Sequence, residues 1–78
     1  MNNKVFSERL NRELDIIGVP QHNTERVEVF SKLMKIPRFK AGALLNGSFP
    51  PDPNLLESLA NELEVSVEWL RGDTTRKH

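Results

Sequence analysis

Ile36-Pro37-Arg38-Phe39-Lys40-Ala41-Gly42-Ala43-Leu44-Leu45-Asn46-Gly47 is the stretch that decides how this chain folds. Pro37 has a fixed φ and no N–H to lose, so it suits the first turn of a helix and not its interior. Ala41, Leu44 and Leu45 then fall on the inward side of a helix over about residues 37–46, while Arg38, Phe39, Gly42, Ala43 and Asn46 fall on or near the other side. Gly47 ends it as a C′ residue. Upstream, Val27, Phe30, Ser31 and Met34 share a face with Leu33 beside them, which predicts a helix capped by Asn23 or Thr24 and ending near Lys35. Only Lys35-Ile36-Pro37 separates the two, so a tight turn must join them.

The flanking sequence has the same character. Phe6, Leu10, Leu14 and Ile17 recur at helical spacing and predict a first helix from about residue 4 to Ile17, stopped by Gly18-Val19-Pro20. Ser48-Phe49-Pro50-Pro51 reads as an extended connector. Asp52-Pro53 is a strong helix start, and Leu56, Leu59, Ala60 and Leu63 give the fourth helix its inward stripe. Ser66 caps a closing helix Val67-Glu68-Trp69-Leu70-Arg71 that ends at Gly72. The prediction is an all-α chain of five short helices, one domain over residues 1–73 with a flexible C-terminal tail over 74–78. Its 78 residues allow a single core.

Composition narrows the class. With 37% hydrophobic and 28% charged residues the chain is of ordinary globular type, and no apolar run approaches the roughly 20 residues a bilayer requires. A soluble protein with no membrane partner is expected. Met1-Asn2-Asn3-Lys4 leads into amphipathic sequence without an apolar signal region, which points to the cytoplasm. There is no cysteine, and His22 and His78 are far apart, so neither a metal nor another cofactor is expected. His22 reads as a loop residue.

Net charge is zero, yet it is unevenly spread. Residues 21–49 carry Arg26, Lys32, Lys35, Arg38 and Lys40 against Glu25 and Glu28, a net +3. Residues 50–73 carry Arg71 against Asp52, Glu57, Glu62, Glu64, Glu68 and Asp73, a net −5. Such asymmetry can orient a protein on a polyanion, and mixed solvated helix faces give a similar pattern.

Five short helices with a three-residue turn between the second and third resemble the lambda-repressor and Cro-type helix-turn-helix family over about residues 6–73. The most specific piece is Leu55-Leu56-Glu57-Ser58-Leu59-Ala60-Asn61-Glu62-Leu63-Glu64-Val65-Ser66-Val67-Glu68-Trp69-Leu70-Arg71-Gly72, similar to that family's fourth and fifth helices. Small Ser31, apolar Ile36, inward Ala41 and Leu44, and Asn46-Gly47 agree with its middle. The resemblance implies a lambda-repressor-like DNA-binding domain acting as a sequence-specific transcriptional regulator, repressor-like, with the third helix in the major groove of double-stranded DNA. It places Arg38, Phe39 and Ala43 at base edges, and Lys40, Asn46 and Ser48 near phosphates, with Arg26 a further phosphate candidate. It also implies a homodimer, weak because the C-terminal part is acidic, with Leu70 and Val67 as candidate contacts. The chain departs from the family's pattern at Val27, where a Gln is common, at Pro37, where Ser or Thr caps the helix, at Gly42 within the helix, and at Lys35 and Glu64, where Gly is favoured.

The residue chemistry supports part of this. An Arg in the first turn of a recognition helix can reach guanine O6 and N7 bidentately, Phe39 and Ala43 can meet thymine methyl groups, and Lys40 can neutralise a phosphate. Each also has a plainer role. Arg38 can serve a surface salt bridge, Phe39 can pack across the turn on the second helix, and Trp69 belongs in the core. No catalytic constellation or phosphate loop is present, so neither an enzyme nor a small-molecule ligand is expected. The rival expectation is a non-DNA-binding protein-interaction module of the same fold, an antirepressor or partner-binding regulator, favoured by zero net charge, Val27 and Gly42.

Overall fold

The computed structural model describes residues 3–78, which form five helices and no strand: α1 (Asn3–Ile16), α2 (Asn23–Met34), α3 (Arg38–Asn46), α4 (Pro53–Leu63) and α5 (Val67–Arg71). None of these helices is long and apolar enough to cross a membrane. α3 packs against both α2 and α1, and α5 against both α1 and α4. Phe6, Leu10 and Leu14 of α1, Phe30 of α2, Leu44 of α3, Leu59 of α4 and Leu70 of α5 are the largest fully buried side chains. Every helix thus contributes to one core.

Local chemistry sets most of the boundaries. Asp52 accepts a hydrogen bond from the Leu55 N–H at 2.8 Å, and Pro53 opens α4 behind it. Ser66 accepts from the Trp69 N–H at 3.1 Å and opens α5. α1 ends one residue earlier than its apolar spacing predicts, and Ile17 lies 54% exposed where an inward position is expected. The chain leaves the helical path there: Gly18 takes a φ of +87°, and the Val19 N–H folds back onto the Leu14 carbonyl at 2.9 Å. Val19 packs against the core, whereas Ile17 stays exposed.

α2 begins differently from its sequence reading. Neither Asn23 nor Thr24 caps it; His22 occupies the N-cap in an extended conformation, with no side-chain cap hydrogen bond. The entry is held instead by Arg26, one turn inside the helix and only 6% exposed. Its guanidinium donates to the Pro20 carbonyl (2.8 Å), the Val19 carbonyl (3.0 Å), the Asn11 carbonyl and Oδ1 (3.1 Å each), and the Asp15 carboxylate. Five N–H groups meet five acceptors, which is what allows an arginine to be buried.

The α2–α3 turn places Lys35 in the left-handed region at φ 56°, and Glu64 does the same after α4 at φ 57°. Both are the positions at which the chain departs from a favoured glycine. Pro37 is the N-cap of α3, one position before the first-turn site expected of it, and its carbonyl receives the Ala41 N–H at 3.0 Å. Its ψ of 150° is extended, so the helical run starts only at Arg38.

Residues 74–78, expected as a flexible tail, make specific contacts. The Ser66 N–H donates to the Lys77 carbonyl at 2.8 Å, Ser66 Oγ to the Arg76 carbonyl at 3.2 Å, and Arg9 to the Thr74 carbonyl at 2.8 Å. Lys77 Nζ lies 2.7 Å from Oε2 of Glu13, whose side chain is 5% exposed, and 5.5 Å from the centre of the Trp69 ring. Arg9 stacks on the same ring at 4.9 Å. A carboxylate buried on α1 needs a cation, and the tail supplies it.

Two stability outcomes follow from these contacts. Arg26→Lys should lower the unfolding free energy by about 2–4 kcal/mol in denaturant titration, since an ammonium cannot reproduce five donors in a planar fork. Lys77→Ala should cost about 1–3 kcal/mol by leaving Glu13 buried without its cation, and adding Glu13→Gln to that variant should recover most of the loss.

Candidate nucleic-acid interface

α3 is held from inside by Ala41 and Leu44, both fully buried, and by Leu45 at 6% exposure. With those three directed inward, helical periodicity leaves Phe39, Ala43 and Asn46 on the outward stripe at i, i+4 and i+7. Phe39 is 77% exposed, so it does not pack across the turn on α2. Ala43 is half-buried, and Asn46 and Ser48 are exposed. Asn46 Oδ1 accepts from both the backbone N–H of Ser48 (2.8 Å) and its hydroxyl, closing a small turn just beyond the helix. Gly42 faces α2, where a Cβ would meet only Val27 Cγ2 at 3.8 Å, ordinary contact.

The two basic residues of α3 leave opposite edges of that stripe, and each meets an acid. The Arg38 side chain is 71% exposed and its Nη2 lies 3.2 Å from Oε1 of Glu28 on α2. The same Oε1 is 3.3 Å from Nζ of Lys32, one turn along α2. On the other edge Lys40 Nζ is 3.6 Å from Oδ2 of Asp52, the cap of α4. The Asp52 carboxyl is held below its ordinary value of 3.8, first by the Leu55 N–H it accepts from, with Lys40 adding to the shift and desolvation opposing it. Both cations of α3 are therefore partly neutralised by acids from neighbouring segments.

Arg38, Phe39, Lys40, Ala43, Asn46 and Ser48 thus lie together on α3 and its C-terminal turn. Arg26 does not join them. It is buried against α1, its donors are spent on the Asn11–Pro20 segment, and no phosphate can reach it. The assignment of Leu70 as a pairing contact also fails, because Leu70 is fully buried; Val67 is half-buried and packs on the core. Trp69, at 7% exposure, is the core residue its apolar setting predicts, and His22 is an exposed loop residue. Sequence reasoning missed Glu28 and Asp52 as partners of the α3 cations. The Glu28–Lys32 spacing of four is legible as a helical ion pair; the reach of Arg38 back to α2 depends on how the two helices cross.

Compared with family models, with curated proteins and with solved structures, the chain matches none.

The lowered Asp52 value has a definite sign for stability. A carboxyl whose folded value lies below its unfolded one contributes stability that is present above the ordinary 3.8 and is lost as pH falls through the lowered value. The melting-temperature advantage of the native chain over Asp52→Ala should hold from neutral pH down to about 3.8 and shrink below it, which thermal melts across pH 2–7 will read.

Proposed function

We propose that this chain is a double-stranded-DNA-binding regulator of the helix-turn-helix type, with α3 as the helix that enters the major groove. The observation that carries the reading is the outward stripe of α3, with a highly exposed arginine at its edge, the first residue of the helix. With its side chains an α-helix is about 10–12 Å across, which a major groove about 12 Å wide admits. Arg38 is restrained only by an exposed ion pair with Glu28, an interaction of about 0–1 kcal/mol. A bidentate contact with guanine discriminates by about 1–3 kcal/mol, more than the ion pair that restrains the side chain. Phe39 and Ala43 would meet thymine methyl groups; Lys40, the Asn46 amide nitrogen and Ser48 would engage phosphates.

One such helix spans too few base pairs to single out a site in a genome, so the reading includes two copies on half-sites about 34 Å apart, pairing weakly and reinforced by DNA through linkage. Leu70 has no part in that pairing. A second reading, a protein-interaction module of the same fold, is favoured by one observation: the most exposed large apolar side chain, Phe39, stands between basic residues that are already paired.

Titration of labelled mixed-sequence duplexes at two salt concentrations separates the two. DNA binding predicts dissociation constants of about 10⁻⁴ to 10⁻⁶ M for non-specific duplex, weakening steeply with salt. Affinity weaker than about 0.1 mM at low salt overturns it in favour of the interaction module. Within the DNA reading, Arg38→Ala should cost about 1–3 kcal/mol on the preferred sequence and flatten preference at one base pair per half-site. Lys40→Ala should weaken all sequences alike and lower the salt slope by about one.

A further inference from the structure

Glu28 is an acid placed inside the basic surface around α3. Its Oε1 accepts from Arg38 across the α2–α3 turn and faces Lys32 along α2, so one carboxylate engages two exposed cations at 3.2 and 3.3 Å. Its side chain is 43% exposed. Fold stability gives little reason for it to be there, since exposed ion pairs of this kind contribute next to nothing. At a surface meant for phosphates a carboxylate is a liability, because like charges brought together repel.

We infer that Glu28 is a specificity-determining residue of the DNA-binding surface, one that penalises engagement of Arg38 and Lys32 with the phosphate backbone and leaves the contact with a base edge open. This rests on the DNA-binding reading of α3. The geometry explains the discrimination. Glu28 takes one edge of the Arg38 guanidinium through Nη2, and the remaining N–H groups are available to guanine O6 and N7 without that bond being broken. A phosphate contact is different: it brings a full negative charge beside the Glu28 carboxylate, whereas a guanine edge is neutral and meets no such repulsion. Lys32 is subject to the same constraint through the same oxygen. Specific and non-specific complexes are therefore taxed unequally, which is how a repulsive element generates specificity. Asp52 stands in the corresponding position to Lys40 on the far edge of α3, but it also caps α4, so Glu28 is the side chain whose charge can be removed without disturbing a helix start.

The test is Glu28→Gln, with Glu28→Ala as a second variant, titrated against two duplexes: the sequence that the native chain selects from a random pool, and a scrambled version of it. Thermal melts establish that both variants remain folded. The expected result is affinity for the scrambled duplex raised about fivefold at low salt, with a salt slope steeper by about one to two as Arg38 and Lys32 turn to phosphates. The selected duplex should gain less, so the ratio of the two affinities falls. Unchanged affinity and slope on the scrambled duplex, or weaker binding to both duplexes, overturns the role of Glu28 while leaving the DNA-binding reading intact. Failure of native and variant chains alike to bind any duplex overturns the DNA-binding reading, and this inference with it.

Discussion

The guanidinium of Arg26 is the constraint on which the arrangement of the helices depends. It is buried beside the end of α1, takes acceptors from Asn11 and Asp15 on that helix and from Val19 and Pro20 in the loop after it, and belongs to the second turn of α2. Three segments therefore converge on one planar group. An unpaired charge in that position would cost several kcal/mol, so the native geometry is the one in which all five donors are satisfied together. Because α2 has no side-chain cap, nothing else of comparable specificity fixes where it starts. The direction of α2 in turn sets the direction of α3, three residues further on.

From that fixed entry the remaining packing is apolar and non-directional. Phe30 and Ser31 bring α2 against its neighbours, and Ala41 and Leu44 draw α3 onto α2 and α1. The consequence for function is which side of α3 remains outside. Once Ala41, Leu44 and Leu45 are committed, Phe39 and Asn46 are left exposed and Ala43 half-buried, and Arg38 and Lys40 stand at the two edges. The acids that meet those edges come from other helices, Glu28 from α2 and Asp52 from the start of α4. A chain with zero net charge in this way carries a basic helix whose cations are paired with acids from its neighbours.

The C-terminal segment makes a second long-range pairing with α1. Trp69 fills the junction of α1 and α5, flanked by the cations of Arg9 and Lys77, and Lys77 compensates the carboxylate of Glu13. Residues beyond the last helix complete an electrostatic arrangement that α1 leaves open.

What the amino-acid sequence determined by itself was whatever depends on near neighbours along the chain. The five helices, the caps at Asp52 and Ser66, the left-handed stops, and the inward sides of α1, α3 and α4 follow from spacings of three and four and from capping chemistry, all local within one or two turns. The tertiary structure alone decided the long-range polar pairings. Arg26 in sequence is one more cation of a basic stretch, and only the approach of α1 turns it into a buried anchor. Glu13 and Lys77 are ordinary charged residues until α1 and the tail meet. Leu70 sits in a helix of five residues, too short for periodicity to say which side faces inward. Charged side chains are ambiguous for a physical reason: solvated, each is content almost anywhere on a surface, so its role is set by the one partner that burial or proximity imposes, and that partner lies elsewhere in the chain.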